Sequence, residues 1–275
     1  MDLARTLYDP VAHRALAFTY MLEFGVAHSF ILAITNFVLG YPERALELAE
    51  WSVGLARERQ PINLCASLSY GCFILMARGQ WALARSWAEE ALSTAQKHGF
   101  SHAVSHSRVN HGIALVHLDR VKEGLDQIRE GIELARPTGY DTWLVNHLVW
   151  LADAYVIAGR PEDALDALTE AETLAAKTGG RHCESLLLRA RGDVALALDR
   201  SSEAEARFRG AIDVARAQDA KSWELHAAIR LARLLRGNGG SAEARDLLAP
   251  IHGWFTEGFD TADLKEAKAL LDDLS

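Results

Sequence analysis

Two histidines at helical spacing are the first side chains in this sequence that suggest chemistry. His102 and His106 stand four residues apart, and Asn110 follows one helical turn later. Residues four apart on a helix share a face, and two imidazoles on one face can begin a zinc site. A zinc site needs further ligands, and the sequence contains no His-Glu-x-x-His motif. We therefore predict ordinary, partly exposed histidines, and no metal or other cofactor.

Two aspartates form a second candidate pair. Asp153 and Asp193 occupy equivalent positions in neighbouring repeats of the sequence, and paired carboxylates can perform general acid–base catalysis. Arg189 and Arg233 are predicted on the same surface, which favours a ladder of ion pairs between repeats. Ligand binding is the alternative that we place second, and catalysis comes last. The sequence therefore predicts a protein that is not an enzyme.

Three arginines mark the end of the same surface. Arg230, Arg233 and Arg236 recur every three residues along one predicted helix. The planar guanidinium fork suits carboxylates and phosphates, so this helix could grip an acidic peptide segment or a terminal carboxylate. The alternative is a solvated helix face paired with Asp193 and Glu224. We weight these two interpretations equally.

A repeat of about 40 residues must position these side chains. Helix-breaking pairs recur at that period: Gly40-Tyr41, Gly79-Gln80, Asp119-Arg120, Gly159-Arg160, Asp199-Arg200 and Gly239-Gly240. Small residues stand seven positions before each pair: Ala33, Cys72, Gly112, Ala152, Gly192 and Ala232. A fixed period in this range is typical of a solenoid, and the small residues mark close approach of two helices.

Each unit is predicted as a helix, a tight turn, a second helix and a short loop. We predict an all-α fold with one domain over 1–275. Its six repeats are predicted at 13–59, 60–99, 100–139, 140–179, 180–219 and 220–252, and the second helices begin near 42, 81, 121, 161, 201 and 241. Residues 253–275 would form a C-terminal cap, because Leu264, Ala267, Leu271 and Leu274 share one helix face.

Small residues around a glycine-like turn resemble the tetratricopeptide repeat, which usually has 34 residues. The longer units here resemble those of bacterial signalling ATPases and MalT-like activators. Residues 247–264, and Tyr8-Asp9-Pro10 followed by Gly40-Tyr41-Pro42, are similar to one bacterial group. In that group a class III adenylate/guanylate cyclase or winged-helix domain joins a predicted ATPase and ends in such repeats. The resemblance implies a right-handed superhelix with a concave binding face.

The departures from that group limit what transfers. The sequence has no Gly-x-x-x-x-Gly-Lys-Ser/Thr phosphate loop and no room for a cyclase domain. The chain is therefore interpreted either as the sensor arm of a larger protein or as a stand-alone homologue of that arm. The enzymatic activities of the group are not predicted for it.

The resemblance places ten candidate partner-binding residues on the concave face. They are His106, Asn110, Asn146, Trp150, Asp153, Arg189, Asp193, His226, Arg230 and Arg233. Asn110, Asn146, Arg189 and Arg233 match only in part the lysines and asparagines of the family's peptide clamps. We predict a non-catalytic scaffold or sensor that binds a protein or peptide segment and regulates a bacterial ATPase or cyclase system. The alternative is a sensor for a small-molecule effector, as in MalT-like regulators.

Composition narrows the remaining classes. The chain has 275 residues, of which 49% are hydrophobic, and its net charge is −8, so nucleic acid is not a predicted partner. The longest apolar stretch, 26–39, is too short to cross a bilayer, and the N-terminus lacks a signal-peptide pattern. The three cysteines form no Cys-x-x-Cys motif, and Cys65 and Cys72 are too far apart for a disulfide. We predict a cytoplasmic protein with no membrane partner, and a homodimer through an exposed solenoid end is a further hypothesis.

Overall fold

The computed structural model describes residues 22–139 and 141–274, together with Asp9, and these residues form helices without any strand. The all-α prediction is therefore confirmed for the described part of the chain. The start of the predicted first repeat, and the neighbours Tyr8 and Pro10 of Asp9, lie outside the described residues.

The helices alternate as first and second members of successive pairs. The first members are α1 (Phe24–Val38), α3 (Pro61–Ala77), α5 (Ser101–His117), α7 (Asp141–Ile157), α9 (Glu184–Ala197) and α11 (Lys221–Gly237). The second members are α2 (Pro42–Arg57), α4 (Trp81–His98), α6 (Val121–Ala135), α8 (Pro161–Thr178), α10 (Ser201–Ala217) and α12 (Ser241–Trp254). The helix α13 (Ala262–Asp273) follows, and short 3-10 turns lie at Arg136–Thr138 and Arg181–Cys183. The second helices begin at the residues that the sequence predicts.

The helix-breaking pairs form turns with a left-handed residue at their first position. The φ angle is positive at each of them: Gly40, Gly79, Asp119, Gly159, Asp199 and Gly239. Glycine adopts this conformation without steric cost, and aspartate tolerates it better than most residues. The repeat signature therefore reflects a backbone requirement for a left-handed residue, which glycine meets at four of these positions and aspartate at two.

The small residues allow the two helices of a unit to touch backbone to backbone. In the third unit, a Cβ added to Gly124 would lie 2.5 Å from the carbonyl oxygen of Gly112. In the fifth unit, a Cβ on Gly192 would lie 2.3 Å from the ring of Phe208. The large residue in the second helix thus fills the space that the small residue in the first helix leaves.

The superhelix curves until its last unit contacts its first. The Ser222 hydroxyl donates a hydrogen bond to the Phe37 carbonyl, and the Phe37 and Trp223 ring centroids are 5.7 Å apart. The segment between α12 and α13 reaches the start of α2, where the Glu257 carboxylate accepts the backbone N–H groups of Glu43 and Arg44. The first and last helix pairs therefore lie side by side.

The last helix and the cysteines are packed into the apolar interior. Helix α13 buries Leu264 and Ala267, Leu274 directly after it is also buried, and Leu271 packs partly against the same cluster. All three cysteines are buried and free. None of the described helices has both the length and the apolar composition that a membrane crossing requires.

Candidate functional site

Aromatic rings fill much of the inner face formed by the first helices. Tyr70 packs against Phe30, His106 and Trp143, with ring centroids 4.3 to 5.1 Å apart. Phe73 contacts three further rings. We call this set the aromatic cluster: Phe30, Phe37, Tyr70, Phe73, His106, Trp143, His147, Trp150 and Trp223. Because these rings contact one another, this part of the concave face is a packed interior.

The prediction of partly exposed histidines is wrong for His106. The side chains of His106 and His147 are 2% and 1% exposed. Burial lowers the pKa of His147 to about 3, and the nearby His102 lowers it further. Burial and the two neighbouring histidines also hold the pKa of His106 well below its ordinary value. The described residues contain no group of His, Cys, Asp and Glu side chains able to hold a metal ion.

Two predicted partner-binding asparagines also lie inside the packing. Asn110 is fully buried and donates its side-chain N–H to the Ser69 carbonyl at 2.8 Å. Asn146 is buried and accepts a weak hydrogen bond from the Cys183 thiol at 3.6 Å. Both amides link neighbouring helices and offer little surface to a partner in this structure, so their binding role stays a prediction.

An ion-pair ladder crosses the later repeats, as the favoured interpretation of the aspartates predicts. Arg189 donates to both carboxylate oxygens of Asp153 at 2.7 and 2.9 Å and to Asp193 at 2.9 Å. Arg230 continues the ladder to Asp193 at 3.3 Å. Burial opposes the charge of Arg189, but the two carboxylates outweigh it and raise the pKa of the guanidinium. The ladder therefore holds a charge in a mostly desolvated position.

The basic face of α11 is paired with acidic residues of its own chain. Arg233 pairs with Glu266 at 2.7 Å, and Arg236 pairs with Asp273 at 2.8 Å. The expected pairing of this arginine face with Glu224 is wrong, because Glu224 pairs with two other residues, Arg216 and Lys221. The expected pairing with Asp193 is confirmed for Arg230. The cap helix thus occupies much of the surface proposed for an acidic peptide.

A pocket of about 230 Å³ opens where the aromatic cluster meets the ladder. Five of the predicted site residues line it: Trp150, Asp153, Arg189, His226 and Arg230. Asp193 adjoins it through Arg189, while the predicted Arg233 lies outside the lining. The sequence analysis did not predict four further residues of this lining, which are Trp81, Trp223, Asp263 and Glu266. The acidic residues of the cap, spaced to oppose the basic face of α11, are the signal that could have found the last two.

The pocket has aromatic walls and a neutralised polar rim. Trp81 and His117 stack in parallel, with ring centroids 3.7 Å apart, and Trp223 is nearly buried. The carboxylate of Asp263 contacts the His226 imidazole, just as Asp153 contacts Arg189. Since these charges are already paired, the pocket best accommodates an uncharged apolar or aromatic group.

Comparison with known proteins identifies the fold. No protein-family model matches the chain, and no curated protein matches it. The structure of NprR in complex with its cognate peptide NprX is similar, with 13% identity and a TM-score of 0.64 over 90% of this chain and 70% of that one. A Rap protein complexed with competence and sporulation factor has 12% identity and a TM-score of 0.62 over 91% and 74% of the two chains.

A third similar structure is a signal transduction ATPase with numerous domains and a tetratricopeptide repeat sensor, from Pyrococcus horikoshii. It has 15% identity and a TM-score of 0.55, and the match covers 90% of this chain and 38% of that one. At these identities the likeness establishes the fold alone. The protein is a helical solenoid of the tetratricopeptide-like type.

Proposed function

We propose that the protein is a non-catalytic binding module that recognises a short peptide segment by one anchor side chain. The 230 Å³ pocket between the two ends of the inner face carries this proposal. Two proteins of similar fold support it, because one was solved with its cognate peptide and the other with competence and sporulation factor.

The lining selects an apolar or aromatic anchor. A cavity of roughly 150 Å³ already holds a benzene ring, so this pocket has room for a larger apolar side chain. An external charge would be desolvated against charges that already have partners, and little would offset that cost. Burying the anchor would contribute about 1.5 to 3 kcal/mol.

The aromatic cluster limits how much of a peptide can enter. Tyr70, His106 and Trp143 occupy the inner face beyond Trp150, so an extended chain cannot run along the whole concave surface. The segment would therefore lie across the pocket mouth. The partly exposed Arg230 and Glu266 at the rim are placed to bind its backbone.

The wider role that we propose is regulatory. The chain would be the regulatory part of a bacterial ATPase or cyclase system. Two observations support this role: residues 247–264 are similar to that group, and the fold is similar to that of the sensor-bearing ATPase. We also propose a single right-handed repeat domain, a cytoplasmic location and a homodimer through a solenoid end.

A small-molecule effector is a second candidate ligand. The pocket favours it because its walls come from the second to the sixth unit and the cap, and they surround a volume suited to a one- or two-ring compound. Such a ligand would use the same aromatic walls without any peptide backbone at the rim.

The test uses octapeptides that differ only in their central residue, which is Trp, Phe, Leu, Asp or Lys in a glycine–serine context. We expect the apolar centres to bind the wild-type chain and the charged centres not to bind, by isothermal titration calorimetry. Ala262→Phe places a ring in the pocket wall and should weaken binding at least 10-fold. Ala269→Phe on the exposed side of α13 is the matched control.

Absence of binding by every octapeptide, or equal binding by the Ala262→Phe variant, would overturn the peptide proposal. Saturable binding of free indole in the same pocket, without binding of any octapeptide, would favour the effector instead.

A further inference from the structure

A short connection links the end of the solenoid to its beginning. We call residues 255–263, between α12 and the first turn of α13, the clasp. The Glu257 carboxylate accepts the backbone N–H groups of Glu43 and Arg44 at 3.1 Å each, at the N-terminus of α2. The Gly258 N–H donates in turn to the Glu43 carboxylate at 3.0 Å. This exchange resembles a capping box built from two distant parts of the chain.

A buried arginine forms the second attachment of the clasp. Arg78 is 6% exposed, donates to the Pro42 carbonyl at 3.0 Å, and holds both carboxylate oxygens of Asp260 at 3.0 and 3.1 Å. Gly258 has a φ of 78°, and a Cβ there would lie 2.1 Å from the Pro42 ring. The clasp therefore fits its site closely through both its backbone and its charges.

The attachment depends on charge as much as on apolar packing. Asp260 is more than half exposed, and solvated ion pairs contribute about 0 to 1 kcal/mol each. Successive repeats, by contrast, bury continuous apolar surface. We call the contact of the last unit and the clasp with the first unit the seam. Apolar packing also crosses the seam at Phe37 and Trp223, but the clasp is attached by the polar contacts above and can detach while the repeats themselves stay folded.

The pocket takes its walls from both sides of this seam. Phe73 and Met76 belong to the second unit, Trp223 and His226 to the sixth, and Asp263 to the end of the clasp. Opening the seam would separate these groups, so an occupant would contact all of them only in the closed state. A ligand that binds one of two states better shifts the population toward that state.

We propose that the clasp is a ligand-responsive closure, so that occupation of the pocket and docking of the clasp stabilise each other. This inference rests on the proposed function, because it describes how the same pocket reports its ligand. The coupling is reciprocal. Loosening the clasp must weaken binding of the ligand by the same factor by which the ligand stabilises the docked clasp.

The clasp is tested first without ligand. The double variant Glu257→Gln/Asp260→Asn weakens both attachments and changes no residue of the pocket lining. Glu243→Gln/Asp272→Asn removes two exposed ion pairs elsewhere and is the control. Native-state amide hydrogen exchange at Glu43, Arg44 and Gly258 should accelerate at least 10-fold in the clasp variant and stay unchanged in the control.

The coupling is tested next with the Trp-centred octapeptide. We expect it to slow exchange at Glu43 and Arg44 in the wild type, and to bind the clasp variant at least 5-fold more weakly than the control. Unchanged exchange in the clasp variant overturns the clasp itself. Faster exchange with unchanged affinity overturns the coupling alone. If the octapeptide does not bind the wild-type chain, the proposed function and the coupling both fail, while the ligand-free exchange still decides whether the clasp opens.

Discussion

The two parts of the inner face are stabilised by different forces. The aromatic cluster encloses two buried histidines whose pKa values are lowered, whereas the ladder holds paired charges whose carboxylates are 15 to 29% exposed. Trp150 and Asp153 stand one turn apart on α7, and each belongs to a different part. The pocket lies where these two parts meet, and its lining therefore combines aromatic rings with charged side chains.

This difference determines how each part responds to change. Apolar contacts are non-directional, and the stability lost when a buried side chain is shortened grows with the volume removed. In a desolvated ion pair each charge depends on the other, so removal of one member leaves the remaining charge poorly solvated. The largest losses are expected for large residues of the aromatic cluster, and the smallest for solvated pairs at the edge of the ladder.

Trp223→Ala should have the largest effect on stability. The ring contacts Phe37 and Phe73 at centroid distances of 5.7 and 5.9 Å, where the last unit meets the first. Removing it should lower the free energy of unfolding by about 3 to 5 kcal/mol, measured by urea denaturation. Trp254→Ala is the control, because that ring is 39% exposed and should cost much less. Equal losses in the two variants would contradict the larger contribution expected of the buried ring.

Arg189→Met should rank second. It leaves the carboxylates of Asp153 and Asp193 without their shared cation, and these groups are 29% and 15% exposed. Because water still reaches them, the loss should be about 2 to 3 kcal/mol, below the range for a fully buried pair. Adding Asp153→Asn and Asp193→Asn to the variant should recover part of this stability. If the triple variant is no more stable than Arg189→Met alone, the cost comes from lost packing.

The sequence predicts the local structure of these parts better than their assembly. The turn pairs locate the second helices because a left-handed residue must end each first helix, at Gly159 as at Asp199. The contact between Phe37 and Trp223 depends on small rotations summed over all the repeats, which no local pattern specifies. The pattern also predicts His106 on the concave face, yet it cannot tell that other rings pack against this side chain.

Acidification should act first on the aromatic cluster. The pKa of His147 is lowered by burial to about 3 from its ordinary value of 6.5. Between these values the unfolded chain binds a proton that the folded chain does not, so stability falls as the pH falls below 6.5. At pH 5 the loss from this residue should be about 2 kcal/mol relative to pH 7.

Urea denaturation at both pH values checks this effect. His147→Phe should make the free energy of unfolding less dependent on pH, because the replacement ring does not titrate. His98→Gln, at the exposed end of α4, is the control for replacing a histidine at the surface. A steeper or unchanged dependence in the His147→Phe variant would contradict the assignment to this histidine.

Arg233→Ala should have the smallest effect, although the sequence analysis predicts Arg233 and Arg189 on the same surface. Arg233 is 48% exposed on its side chain, and its partner Glu266 can be solvated when the pair is broken. The expected loss is about 0 to 1 kcal/mol, and it should vanish in 1 M sodium chloride, where the Debye length is about 3 Å. The loss for Arg189→Met should persist in that salt, since screening reaches a desolvated charge much less. A loss of about 2 kcal/mol for Arg233→Ala that persists in this salt would instead assign Arg233 to the same desolvated network as Arg189. That network would then extend to the cap helix α13.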